Sequence, residues 1–139
     1  MGVINWGRVI LGGLLAGLIL NIVEALGGML SWKDWEAALR KLGTRTDDPT
    51  STALDVGSMF LYGCFAVWLY AAIRPRFGPG PKTALRAAVG AWFCGNLLGG
   101  LGYASLGVLP VKLIVIWVAI SLVGFTLATL AGAWLYKES

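Results

Sequence analysis

The sequence predicts an all-α polytopic membrane protein: four transmembrane helices in an antiparallel bundle, plus a short amphipathic helix at the membrane surface. Three observations predict it. The 139-residue chain is 58% hydrophobic and 13% charged, with a mean hydropathy of +0.76, whereas soluble domains are nearer half apolar and a quarter charged. Four apolar runs have the length of about 20 residues that a helix needs to cross ~30 Å of hydrocarbon. None of these runs shows the period-two alternation of a membrane strand, and helices satisfy their own backbone in lipid. The length suits a single membrane domain over residues 1–139.

The first span is expected at 9–30. Its apolar stretch is too long for a cleaved signal peptide, and no small-x-small cleavage site precedes a soluble domain. The interfacial helix follows at 31–42, "SWKDWEAALRKL". There Trp32, Trp35, Leu39 and Leu42 share one face, which suits tryptophans at headgroup depth. Ser31 and Asp34 have the positions of a capping box, Glu36 and Arg40 form an i,i+4 pair, and Gly43 is a natural stop. "GTRTDDPT" reads as a polar loop in which Asp48 and Pro49 start the next helix.

The second span is expected at 53–73. "RPRFGPGPKTALR" comes next, where Pro75, Gly78, Pro79, Gly80 and Pro81 are expected to forbid regular structure. Arg74, Arg76, Lys82 and Arg86 make this stretch cationic, suited to lipid headgroups or to the positive-inside rule. The third span is expected at 84–106 and the fourth at 113–136, joined by the short "GVLPVK" as a hairpin. With four spans, one side carries Arg8, Arg74, Arg76, Lys82, Arg86 and Lys137; the other carries Lys33, Arg40, Lys41, Arg45 and Lys112. This bias favours both termini in the cytoplasm of a bacterial cell, with the chain in the cytoplasmic membrane.

Lipid is as apolar as leucine, so helices associate through close packing and polar contacts. Small residues are phased for that purpose. Gly13, Gly17 and Gly28 share a face in the first span; Ala87, Ala91, Gly95 and Gly99 do so in the third; Ser121, Gly124, Ala128 and Gly132 do so in the fourth. Asn21 and Glu24 lie on the glycine face of the first span, which turns Glu24 inward. Asp55 enters from the same side, Ser58 and Tyr62 share its face, and Tyr103 reaches a similar depth with Asn96 deeper. The spacing allows one intramembrane polar cluster of Asn21, Glu24, Asp55, Ser58, Tyr62 and Tyr103. Two carboxylates held together resist ionising both, which suits proton or cation exchange. Asp55 has a competing role as a capping acid in Thr52-x-x-Asp55.

The chain has no histidine, and its two cysteines, Cys64 and Cys94, lack CxxC spacing. No metal site, cofactor, catalytic residue or nucleic-acid partner is expected. The two cysteines could lie near each other as small buried hydrophobes.

"NWGRVILGGLLAGLILN" and "AAIRPRFGPGPKTAL" together resemble a group of small bacterial four-helix membrane proteins. That resemblance implies fold and location, with no activity attached. An acid in the first of four helices also invites comparison with small multidrug-resistance transporters. Those chains are shorter with tighter loops, and the likeness ends at one glutamate, so no residue role follows.

The function these features favour is a non-enzymatic integral membrane protein, either a homo-oligomer or an accessory subunit of a larger membrane complex. The alternative is a small proton- or cation-coupled transporter using Glu24 with Asp55. A membrane enzyme acting on lipid or quinone is disfavoured, because no nucleophile–base pair can be assembled.

Overall fold

The computed structural model describes residues 3–44 and 48–137, and every regular element among them is helical. Helix α1 spans Trp6–Leu30, starting three residues before the expected boundary. Asn5 explains this, because its side chain accepts a hydrogen bond from the Arg8 amide at 3.1 Å. At the other end the Ser31 hydroxyl donates back to the Gly27 carbonyl at 3.2 Å. Ser31 is therefore spent on α1 and makes no side-chain cap for α2, contrary to the capping box expected there. Helix α2 spans Trp32–Lys41, held by the Glu36–Arg40 ion pair at 2.6 Å, and ends before Gly43 at φ +70°. Arg45 and Asp47 of the polar loop lie outside the described residues.

Helix α3 spans Pro49–Phe77, longer than expected at both ends. Asp48 caps it, accepting from the Ser51 amide at 3.3 Å, and Pro49 fills the first turn. The Thr52 hydroxyl bonds the Asp48 carbonyl, so Thr52 and Asp55 form no capping box. The Arg74–Phe77 stretch, expected to be irregular, is helical with Pro75 inside it. Proline removes the N–H that would bond the carbonyl four residues back. In the last turn that loss is confined, and Gly78 closes the helix with a 2.8 Å bond to the Arg74 carbonyl. The true connection shrinks to Gly78-Pro79-Gly80, whose glycines adopt φ +79° and +123°, a region that side chains with Cβ avoid.

Helix α4 spans Pro81–Trp92, a π-helical turn covers Phe93–Leu97, and α5 spans Leu98–Leu106. The backbone stays right-handed helical across both junctions, so Pro81 to Leu106 is unbroken. A π turn adds a residue to one turn and rotates everything after it. This explains why Gly99 faces open space whereas Gly100 lies against Val118 and Ile114. The expected ridge of Ala87, Ala91, Gly95 and Gly99 therefore ends at Gly95. Helix α6 spans Val111–Leu135, which leaves Tyr136 just outside it.

The order of contacts shows that α1 runs opposite in sense to both α3 and α6, which themselves run parallel. On α1 and α3, Gly13 meets Cys64, Gly17 meets Phe60 and Asn21 meets Val56. On α1 and α6, Gly12 meets Gly132 and Gly27 meets Ile120. Helix α4 and the π turn after it fill the remaining side, with Gly90 of α4 on Leu69 and Gly95 of the π turn on Tyr62 of α3, and the Trp92 indole on the Val118 carbonyl of α6 at 2.9 Å. The closest approach is at Gly63, where a methyl group would collide with the backbone of Gly13 and Gly17. Ala91 and Ala128 are fully buried, and Gly124 packs on Val23. The ridges of Gly13, Gly17, Ala91, Gly95, Gly124, Ala128 and Gly132 are thus used within the chain.

The backbone N–H of Asn5 donates to the Tyr136 hydroxyl at 3.3 Å, the Gly80 N–H donates to the Tyr70 hydroxyl at 3.3 Å, and the two tyrosine rings meet edge-on at 5.9 Å. The start of α1, the end of α6 and the α3–α4 turn therefore share one end of the molecule. At the other end Lys112 and Asp34 approach to 3.9 Å, placing α2 beside the start of α6. Helices α1, α3 and α6 are each long and apolar enough to cross a membrane. Their outward rows, such as Ile10, Leu14, Leu18 and Ile22, are exposed and apolar, which suits contact with lipid.

Candidate functional site

Helix α1 presents Gly13, Gly17 and Asn21 to α3, and Glu24 continues that row at i+3 and i+7. The amide nitrogen of Asn21 is engaged in the seam. It donates to the Gly17 carbonyl at 2.9 Å and across the seam to the Val56 carbonyl at 3.3 Å. Glu24 differs. It is half-buried, and its Oε1 is buried with no hydrogen-bond partner among the described residues. In a helix that crosses a membrane an acid costs at least ~2.5 kcal/mol on insertion scales, and among the described residues no hydrogen bond to Oε1 offsets it.

Because α1 and α3 run in opposite senses with Asn21 level with Val56, Glu24 lies beside the first turns of α3. Asp55 belongs to that region but is exposed, and no hydrogen bond joins its carboxylate to Glu24 among the described residues. Ser58 bonds back to the Asp55 carbonyl at 2.8 Å. Tyr62 turns away towards α4 and α6, packing edge-on against Phe125 at 5.7 Å and beside Gly95. Tyr103 is 47% exposed and meets Trp117 edge-on at 6.3 Å. The six expected residues therefore divide into a seam (Asn21, Glu24), an exposed acid with its half-buried neighbour (Asp55, Ser58) and two separate aromatic contacts (Tyr62, Tyr103).

Asn96 is the other polar group that stands out. It sits in the π turn, is 2% exposed, and its Oδ1 has no partner among the described residues. An asparagine in an apolar run is a visible sequence signal, but no residue type announces a π turn. Nearby Trp92 bonds both the Val118 carbonyl and the Ser121 hydroxyl, so the α4–α6 seam has its own polar clamp. No sequence pattern pointed to it.

The cysteines are apart in role: Cys64 packs on Gly13, and Cys94 is exposed. At the end shared by the start of α1 and the close of α6, Arg74 lies over the Tyr136 ring at 5.7 Å. Arg76 and Arg86 both lie over Phe77, at 5.9 and 4.6 Å. Lys82 is exposed in the first turn of α4. At the opposite end an open groove of about 310 Å³ runs between α2 and the start of α6, lined by Asp34, Lys41, Val108, Pro110 and Lys112 among others. No known protein family, curated protein or solved structure matches this chain.

Proposed function

We propose that this chain is a small, non-enzymatic integral membrane protein of four spans in an antiparallel bundle, working as a homo-oligomer or as an accessory subunit of a larger membrane complex. Two features support four spans. The ends of the chain meet at one end of the molecule, which calls for an even number of crossings. The helix from Pro81 to Leu106 is apolar and unbroken, and serves as the span that completes the count. Residence in a bacterial cytoplasmic membrane with cytoplasmic termini, and kinship with the group of small bacterial membrane proteins, belong to the same proposal.

The observation that carries the function is the buried, unpartnered Oε1 of Glu24. A lone carboxylate oxygen inside a membrane helix is retained when something from outside the protomer completes it. Glu24 as a whole is only half-buried, so a donor or basic side chain of a neighbouring subunit can engage its carboxyl group from outside. Position 28 gives direct access, because nothing lies within 4 Å of a side chain begun there. A photoreactive residue replacing Gly28 is expected to trap a second polypeptide in the native membrane. Adducts with lipid alone would overturn the reading.

A second reading is a proton- or cation-coupled carrier. The position of Glu24 in the α1–α3 row, beside the first turns of α3 that carry Asp55, favours it. Glu24→Gln would then abolish proton-coupled flux in proteoliposomes; flux equal to wild type would remove this reading.

A further inference from the structure

We infer that Arg76 and Arg86, held on the two sides of the Gly78-Pro79-Gly80 turn, form a binding site for the phosphate of an anionic phospholipid headgroup. This goes beyond the function proposed above and does not depend on Glu24.

The two arginines come from different helices, the end of α3 and the second turn of α4, yet both guanidinium groups lie over the Phe77 ring, at 5.9 and 4.6 Å. A ring face attracts cations, but two cations gathered at one ring repel each other. Between Asp55 and Glu138 the chain contains no aspartate or glutamate, and neither Arg76 nor Arg86 has an ion pair among the described residues. The gathered charge is thus uncompensated within the bundle. Arginine is the side chain best matched to phosphate, through paired N–H donors.

The turn holds this arrangement rigidly. The Thr83 hydroxyl sits against the Phe77 and Gly78 carbonyls, at 3.3 and 2.7 Å, and the Gly80 N–H is tied to Tyr70. The first turn of α4 begins here and contributes the positive end of its dipole together with Lys82. Arg76, Phe77, Lys82 and Arg86 are all exposed where α3, long and apolar enough to cross a membrane, gives way to the start of α4. That is the depth at which lipid phosphates lie, so the occupant is a lipid and not a soluble anion.

The test is native mass spectrometry of the full chain in detergent mixed with equal amounts of phosphatidylglycerol and phosphatidylethanolamine. Wild type is expected to retain phosphatidylglycerol in preference. R76Q/R86Q is expected to lose that retention roughly tenfold or more, since each basic residue near an anionic surface adds to binding. K41Q/K112Q, at the opposite end of the molecule, is expected to match wild type. Phe77→Leu keeps every charge and removes only the ring that gathers them, so it is expected to lose about threefold; this variant decides the matter if the double variant does not fold. Equal retention of both lipids by wild type would overturn the site. So would wild-type retention by R76Q/R86Q or Phe77→Leu, or an equal loss in K41Q/K112Q.

Discussion

The Oε1 atom of Glu24 is buried and accepts no hydrogen bond among the described residues, while one turn away Asn21 spends its amide on two backbone carbonyls. The two side chains lie on one helix face and are expected to behave oppositely. Glu24→Leu removes an uncompensated polar group, so thermal unfolding in a fixed detergent is expected to occur at the same temperature or higher. Asn21→Leu removes an interhelical bond and is expected to cost about 0.6 kcal/mol, the average for such contacts in membranes. A clear loss of stability in Glu24→Leu would make that carboxylate a structural group. At this scale the sequence was informative in a limited way. An acid and an amide in an apolar run are visible in the residues, and so is their shared face. Their partners are not, because those depend on which carbonyl of α3 comes level with α1.

Helix existence was legible from hydropathy, and the departures have local causes. Pro75 looked like a terminator, but proline in a last turn forfeits only one bond, and α3 runs on to Phe77. The third span looked like a uniform helix, but the π turn at Phe93–Leu97 rotates its second half, exchanging the roles of Gly99 and Gly100. A paired substitution tests that rotation. Gly100→Leu drives a side chain into Val118 and Ile114 and is expected to destabilise by about 1–3 kcal/mol. Gly99→Leu enters open space and is expected to be neutral or mildly stabilising. The reverse order would mean an ordinary α-helix there. The α1–α3 seam allows the same comparison. Gly63→Ala meets the backbone of Gly13 and Gly17, which cannot turn aside, so it is expected to lower the yield of folded protein, whereas Gly57→Ala meets nothing.

Across the whole molecule, composition announced a membrane protein, yet the meeting of the chain ends is a tertiary fact. Asn5 and Tyr136 are 131 residues apart and share a hydrogen bond. The four crossings we propose would place the Gly78-Pro79-Gly80 turn on the same side as the start of α1 and the close of α6, with α2 on the other side. In a chain whose own cysteines are replaced by alanine, Pro79→Cys is expected to react with an impermeant maleimide from the side of a terminal tag, and Lys41→Cys from the opposite side. Labelling of both from one side would remove the four-span arrangement. The proposed role also belongs to this scale. Gly13, Gly17, Gly95, Gly124 and Gly132 pack inside the protomer, and Glu24, half-buried with an unpartnered Oε1 among the described residues, is the acid we assign to something beyond it. The most direct measurement is native mass spectrometry of the chain released gently from its own membrane, alongside Glu24→Leu. The account predicts that wild type emerges bound to a second copy or another subunit in fixed ratio, and that Glu24→Leu emerges mainly alone. A wild-type chain that is monomeric in both lipid and mild detergent would contradict it.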